Sequence, residues 1–357
     1  MSTPNIHPRI PSLGPIRAGH ELDRAPLERY LRAKLPDFAP IVDLAQFEGG
    51  QSNPTFFLRD EAGHECVLRK KPGGTLLPSA HLVEREYRVM TALAATDVPV
   101  PRTRLLCEDT SVIGTPFYVM DYVHGRILRD PALPEVSKGE RAALYDAMND
   151  VVARIHRVDL EATGLSDYGK PANYLARQVT RWTQQYLAAR ARPIDAMDWL
   201  SQWLTEHVPT EERATLTHGD FRIDNLVFHE TEPRVIAVLD WELSTLGDPV
   251  ADLAYSCLAY YLPAGKGALR GLAGTDLEAL GIPKEDDYVA AYVRRTGRAP
   301  IVSWAFYLAF GLFRVASIVE GVRARAEKGT GSSASGADLG RMTELLAETG
   351  RKVAQRE

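Results

Sequence analysis

His218-Gly219-Asp220-Phe221-Arg222-Ile223-Asp224-Asn225-Leu226, followed by Val238-Leu239-Asp240-Trp241-Glu242, is the stretch that decides the fold. Asp220 and Asn225 lie five residues apart in the polar, turn-rich interval Thr217 to Pro249. That spacing can turn a carboxylate and an amide oxygen to one side. Asp240 closes an apolar run, Val235–Leu239, so its carboxylate projects from a rigid element. Phosphoryl chemistry asks a protein for these groups: one carboxylate beside an acceptor hydroxyl, and oxygen ligands that hold magnesium against phosphates. The competing reading is a hydrogen-bonded turn with capping aspartates.

The order His-Gly-Asp-x-x-x-x-Asn, an apolar strand ending Asp-Trp-Glu, then Gly247-Asp248-Pro249-x-x-Asp252-Leu253-Ala254 resembles the signature of the aminoglycoside phosphotransferase family. The resemblance implies an α+β, bilobal, protein-kinase-like fold. Its small N-terminal antiparallel-sheet lobe would carry one helix, and its larger C-terminal lobe would be mainly helical. It implies ATP and Mg2+ as cofactors, with Asp220 as base or orienter of the acceptor hydroxyl and Asn225 and Asp240 as metal ligands. Arg222 would face the transferred phosphate, or else pair with Asp224. His218 would brace the loop, while Asp248 and Asp252 would cap a helix near Val250 and satisfy loop amides. Asp240 runs almost directly into Gly247-Asp248-Pro249, so no activation loop is expected.

Upstream, Ile41–Glu48, Thr55–Arg59 and Glu65–Lys70 read as strands, a helix reaches Ala94, and Arg102–Cys107 and Pro116–Tyr122 are strands again. Gly49-Gly50-Gln51-Ser52-Asn53, between the first two strands, suits close approach to phosphates; Gly50, Ser52 and Asn53 are the candidates there, against an ordinary hairpin. One cation at the end of the third strand should reach the phosphates. Aligning on the preceding apolar pair selects Arg69, with Lys70 as the alternative on the opposite face. Glu86 resembles the acidic partner of that cation, Glu84 being the other candidate. In the hinge, Met120 to Val123, the Asp121 carbonyl and the Val123 amide would meet adenine.

The expected layout is a mobile N-terminus (1–24), a nucleotide-binding lobe (25–122), a helical catalytic and acceptor lobe (123–327), and a flexible linker with a terminal helix (328–357). A net charge of -5 gives no reason to expect a nucleic-acid or acidic-membrane partner. Three scattered cysteines make neither a disulfide framework nor a zinc pattern, which suits a cytoplasmic setting. The apolar stretch Trp304–Val319 is broken by Gly311 and Arg314, so it is expected not to span a membrane.

The expected partner is a small hydroxylated acceptor. Arginines in the insert (Arg177, Arg181, Arg190, Arg192) and the C-terminal helices (Arg294, Arg295, Arg298, Arg314, Arg323, Arg325) make a basic acceptor region suited to an anion, or simply a solvated face. Val67–Lys71 with Pro72 to His81, Asn173 to Gln178, and Trp182-x-x-Gln185-Tyr186 are similar to one branch, the kinase-like domains fused to acyl-CoA dehydrogenases. That branch implies a hydroxyacyl-CoA acceptor; an aminoglycoside or amino-sugar kinase and a nucleotide-binding pseudokinase scaffold are the alternatives. The aromatic run Trp304, Phe306, Tyr307, Phe310 and Phe313 reads as core, or as a wall for an acyl chain. Oligomeric state is not legible.

Overall fold

A computed structural model describes residues 13–48, 53–73, 82–210, 214–265, 269–327 and 336–356. The chain divides into two compact units, Met1–Gly125 with Ile236–Glu242, and Arg126–Val235 with Leu243–Glu357.

The first unit is built on six antiparallel strands: β1 (Leu13–Gly14), β2 (Ile41–Phe47), β3 (Thr55–Asp60), β4 (Glu65–Lys70), β5 (Thr103–Cys107) and β6 (Phe117–Asp121), in the order β1-β2-β3-β4-β6-β5. Helix α1 (Arg24–Lys34) is started by Asp23, whose carboxylate accepts from the Ala25 amide. It lays Leu27 and Leu31 on the sheet face formed by Phe56, Leu58, Leu68, Phe117 and Val119. Helix α2 (Val83–Leu93) packs against β5 and β6 and buries Val83, Glu86, Val89, Met90 and Leu93. Because side chains alternate along a strand, Arg69 and Lys70 leave β4 on opposite faces.

Part of the N-terminal segment is tied to the sheet. Leu13 and Gly14 pair with Phe47 and Gln46, and the Arg17 amide donates to Gln46 Oε1 at 2.9 Å. Residues 1–12 lie outside the described residues.

The second unit is mainly helical: α3 (Lys138–His156), α4 (Tyr174–Ala189), α5 (Asp195–Glu206), α6 (Pro249–Cys257), α7 (Leu277–Leu280), α8 (Glu285–Thr296), α9 (Trp304–Glu327) and α10 (Gly336–Ala354). Ser137 caps α3 by accepting from the Glu140 amide. Between α5 and α6 run four short strands, β7 (Thr215–Thr217), β8 (Leu226–Phe228), β9 (Val235–Val238) and β10 (Thr245–Gly247). Strands β7 and β10 pair antiparallel.

Helix α9 is long and apolar enough to cross a membrane, but 83% of its most apolar window is buried inside the protein. It packs against α10, α4, α6 and α5, and Phe306, Tyr307, Phe310 and Phe313 are all buried. The aromatic run is therefore core, and the acyl-wall alternative is corrected. The Trp304 indole is likewise committed, donating to Glu285 Oε1 at 3.0 Å.

The terminal helix is also no detached tail. Helix α10 buries Leu346, Ala347, Val353 and Ala354, and Thr343 donates to the buried Glu320 at 3.2 Å. The linker expected from residue 328 lies, up to 335, outside the described residues.

Candidate active site

Two clusters hold the residues singled out above, one in each unit. In the first unit, Arg69 on β4 points at α2. Its guanidinium lies 3.3 Å from Glu86 Oε2, 2.8 Å from Asp240 Oδ1 and 3.3 Å from Glu242 Oε2. Glu86 also accepts from Asn53 Nδ2 at 3.0 Å and from the Tyr118 hydroxyl at 3.2 Å. Burial pushes the Glu86 carboxyl up to about 7; Arg69 pulls against this, while Asp240 and Glu242 add to the rise. One guanidinium thus serves three carboxylates. Desolvation lowers the charge preference of Arg69, but the surrounding carboxylates outweigh it and hold the guanidinium firmly protonated.

Lys70 does not join this cluster. Its ammonium sits 5.8 Å from the Phe56 ring centre on the α1 side of the sheet, and burial lowers its pKa. Glu84 pairs instead with Lys71 at 2.7 Å. Gly50 and Ser52 fall outside the described residues, while Asn53 is buried and donates to Glu86 and, at 3.4 Å, to Glu242. Of the hinge candidates, Asp121 has its amide on the Arg102 carbonyl and its carboxylate on Arg104. Val123 is half-buried.

Asp240 has a positive φ of 65°, a conformation that is uncommon for a residue with a Cβ. The turn that follows, Trp241–Leu243, is anchored by the Trp241 indole donating to the Val238 carbonyl at 3.0 Å. The Val238 amide is in turn held by the Pro99 carbonyl. Backbone strain of this kind concentrates where function fixes a side chain.

In the second unit, Asn225 Nδ2 donates to the Asp220 carbonyl at 2.9 Å and to Asp220 Oδ2 at 3.1 Å. With Nδ2 so engaged, the Asn225 amide has Oδ1 left as its acceptor. Arg222 reaches Asp224 at 2.8 Å and has its Nε 3.4 Å from Asp220. Burial raises Asp224 above the ordinary carboxylate value, Arg222 opposing the rise.

The loop carrying these residues is held from behind. Asp252 accepts from the His218 amide at 2.7 Å and the Gly219 amide at 2.8 Å, and lies 3.1 Å from His156 Nε2. Burial would raise Asp252, but bonding to His156 and the loop amide prevails and leaves it below its ordinary value. The His218 ring nitrogen Nδ1 accepts from the Asp220 amide at 3.2 Å. Asp248 caps α6, accepting from the Val250 and Ala251 amides. Gly219 has φ +81°, and a Cβ there would fall 2.5 Å from the Leu243 carbonyl oxygen, so only glycine fits.

Three contributors have no sequence signal for the place they take. Arg314, buried on α9, donates to the Gly219 carbonyl at 2.6 Å. Its guanidinium lies 4.8 Å from the Tyr255 ring centre and 5.4 Å from that of Trp182. Burial, followed by the charge of Asp220, raises the Tyr255 phenol. Glu242 belongs to the Asp-Trp-Glu signature, but its place beside Arg69 has no sequence signal.

Much of the expected basic region is committed to structure. Arg190 pairs with Asp198, Arg192 with Glu344, Arg295 with Asp146, and Arg323 with Glu320 and Glu327. The solvated-face and structural readings account for these arginines, and they do not define an anion site.

Among the described residues, no group of three or more His, Cys, Asp or Glu side chains could hold a metal ion. Asn225 in the second unit and Asp240 in the first each carry an oxygen of the hard type that magnesium prefers, an ion that otherwise keeps waters and phosphates as ligands. The carboxylate excess around Arg69 is also the charge balance that a divalent cation would redress.

A six-stranded antiparallel sheet unit, a helical unit, and these two clusters define a kinase-like phosphotransferase. The chain belongs to the phosphotransferase enzyme family, whose model matches residues 43–292. It is 50% identical over 353 residues to acyl-CoA dehydrogenase family member 10 of Mus musculus, covering 99% of this chain and 33% of that protein. It is 43% identical to family member 11 of Homo sapiens, covering 94% of this chain and 44% of that one. The chain thus spans a third to under half of the relatives' length. A crystal structure described as an aminoglycoside phosphotransferase from Ralstonia eutropha matches with a TM-score of 0.84 and 48% identity, covering 94% of this chain and 99% of that one. The GDP and kanamycin complex of APH(2'')-IIIa shares the fold, with a TM-score of 0.59 at 14% identity.

Proposed function

We propose that this protein moves the γ-phosphoryl group of ATP to the hydroxyl of a small metabolite, a hydroxyacyl-CoA being the acceptor favoured. The observation that carries the reading is the Asp220–Asn225 pair: one amide fixes the carboxylate and keeps its own oxygen for a metal. The acceptor oxygen attacks the γ-phosphorus, and its proton passes to the Asp220 carboxylate. A new P–O bond forms as the bond from phosphorus to the β–γ bridging oxygen breaks, and ADP leaves. Asn225 and Asp240 would hold magnesium, which when bound neutralises phosphate charge. Arg69 is the cation for the phosphates, fixed by Glu86, and Arg222 lies beside Asp220, where it can meet developing charge. The acyl-CoA assignment rests on the likeness to the acyl-CoA dehydrogenase family members.

ADP release from Mg-ATP across hydroxyacyl-CoAs and aminoglycosides tests the reading, with Asp220→Asn as control. Acceptor-dependent release should fall by roughly 10²- to 10⁴-fold in the variant, with nucleotide affinity kept. Full turnover in Asp220→Asn would refute the assigned role.

A further inference from the structure

The second unit contains a cavity of about 220 Å³. Part of its wall is the catalytic loop, through Arg222, Ile223 and Asp224. Tyr255 lines the same space, and Arg222 connects it to Asp220, its Nε lying 3.4 Å from that carboxylate. The lining also has an apolar share: Pro131, Met148, Leu258, Ala259, Leu262 and Val315. A void left by imperfect packing would be apolar throughout, whereas ligand sites pair an apolar body with a few convergent polar groups. The lining also includes Arg129 and Arg270, so three guanidinium groups and one carboxylate border the space. That balance disfavours a polycation.

We infer that this cavity seats the apolar chain of the acceptor, with the hydroxyl at the Asp220 side, and that Met148, Ala259 and Leu262 set the chain length accepted. The inference rests on the phosphotransferase reading above. At about 220 Å³ the cavity has room for a chain of medium length. Acceptors of that length should be preferred over much longer ones. The transfer itself is unchanged: the hydroxyl oxygen bonds to the γ-phosphorus, ADP departs and the proton goes to Asp220.

The test measures kcat/KM for hydroxyacyl-CoAs of four, eight and twelve carbons, with kanamycin as the cationic control, in wild type, Ala259→Phe and Leu262→Ala. Fluorescent ADP binding and thermal midpoints are followed in parallel. Wild type should favour eight carbons over twelve. Ala259→Phe should lower kcat/KM for the eight-carbon acceptor by at least roughly tenfold at unchanged KM for ATP. Leu262→Ala should move the optimum toward twelve carbons, a gain that mere damage to the fold does not produce. Chain-length profiles identical in all three proteins, or kanamycin outperforming every acyl acceptor, would overturn the cavity assignment while leaving phosphotransfer standing. Absence of nucleotide binding in wild type would instead sink the phosphotransferase reading beneath it.

Discussion

The cluster around Arg69 and the network behind Asp220 handle buried charge in opposite ways. Around Arg69, one cation is shared by Glu86, Asp240 and Glu242, and burial pushes Glu86 up to about 7. Behind Asp220, one buried carboxylate, Asp252, is matched by two backbone amides and a histidine, and its pKa falls. The first arrangement carries more negative charge than it neutralises, which under the proposed function leaves a place for a cation. The second is satisfied by the protein itself, as befits a scaffold that fixes a loop.

If that contrast is right, the scaffold carboxylate should matter most for folding. Asp252→Ala leaves two buried amides and a histidine without their acceptor and should cost about 3–5 kcal/mol, read as a fall in thermal midpoint. Its depressed pKa also sets a sign. The stabilisation from Asp252 is present above the ordinary aspartate range and is lost as pH falls through the lower native value, so Asp252→Asn should flatten the acid limb of stability.

Arg69→Met should weaken nucleotide binding and destabilise by about 3 kcal/mol, because Glu86 keeps its burial and loses its cation. Here the sign is reversed. Glu86, raised to about 7 in the native protein, favours folding below the ordinary glutamate range, and that contribution disappears as pH rises through about 7. Removing Arg69 should move this loss to higher pH, measurable in urea titrations at several pH values.

Arg314→Lys should be milder. It keeps the charge but loses the planar group held between Trp182 and Tyr255, and should lower kcat by about tenfold with KM for ATP unchanged. Recovery of Arg314→Ala by added guanidinium would mark a local positioning role; a fall in ATP affinity of similar size would contradict it. The smallest effect belongs to Lys70→Met, which should leave kcat intact and shift stability by about 1 kcal/mol or less. A large activity loss there would break the assignment of the two sheet faces.

These expectations trace back to what local pattern encodes and what it omits. Alternation along Glu65–Lys70 is enough to separate Arg69 from Lys70, since a strand has only two faces. Ser137 and Asp248 announce their helices because caps are local. By contrast, β7 and β10 are three residues each, too short for alternation to register. The stack of Trp182, Arg314 and Tyr255 draws on three separate helices, so no spacing within one of them reveals it. The arginines looked like a basic surface because sequence counts charges without their partners, and Glu344 lies 152 residues from Arg192. Helix α10 read as a terminal helix after a linker, without a packing partner, for a related reason: its buried residues are few, and only α9 and α5 show what they are for.

The short segment Ile236–Glu242 belongs to the first unit although the chain reaches it only after more than a hundred residues of the second. A ribosome that has delivered everything through Gly125 has not yet delivered Asp240 or Glu242, so Arg69 at that stage has only Glu86. The first unit is therefore completed late in synthesis, and an excised fragment ending at Gly125 would lack two of the three acids its arginine was built to meet.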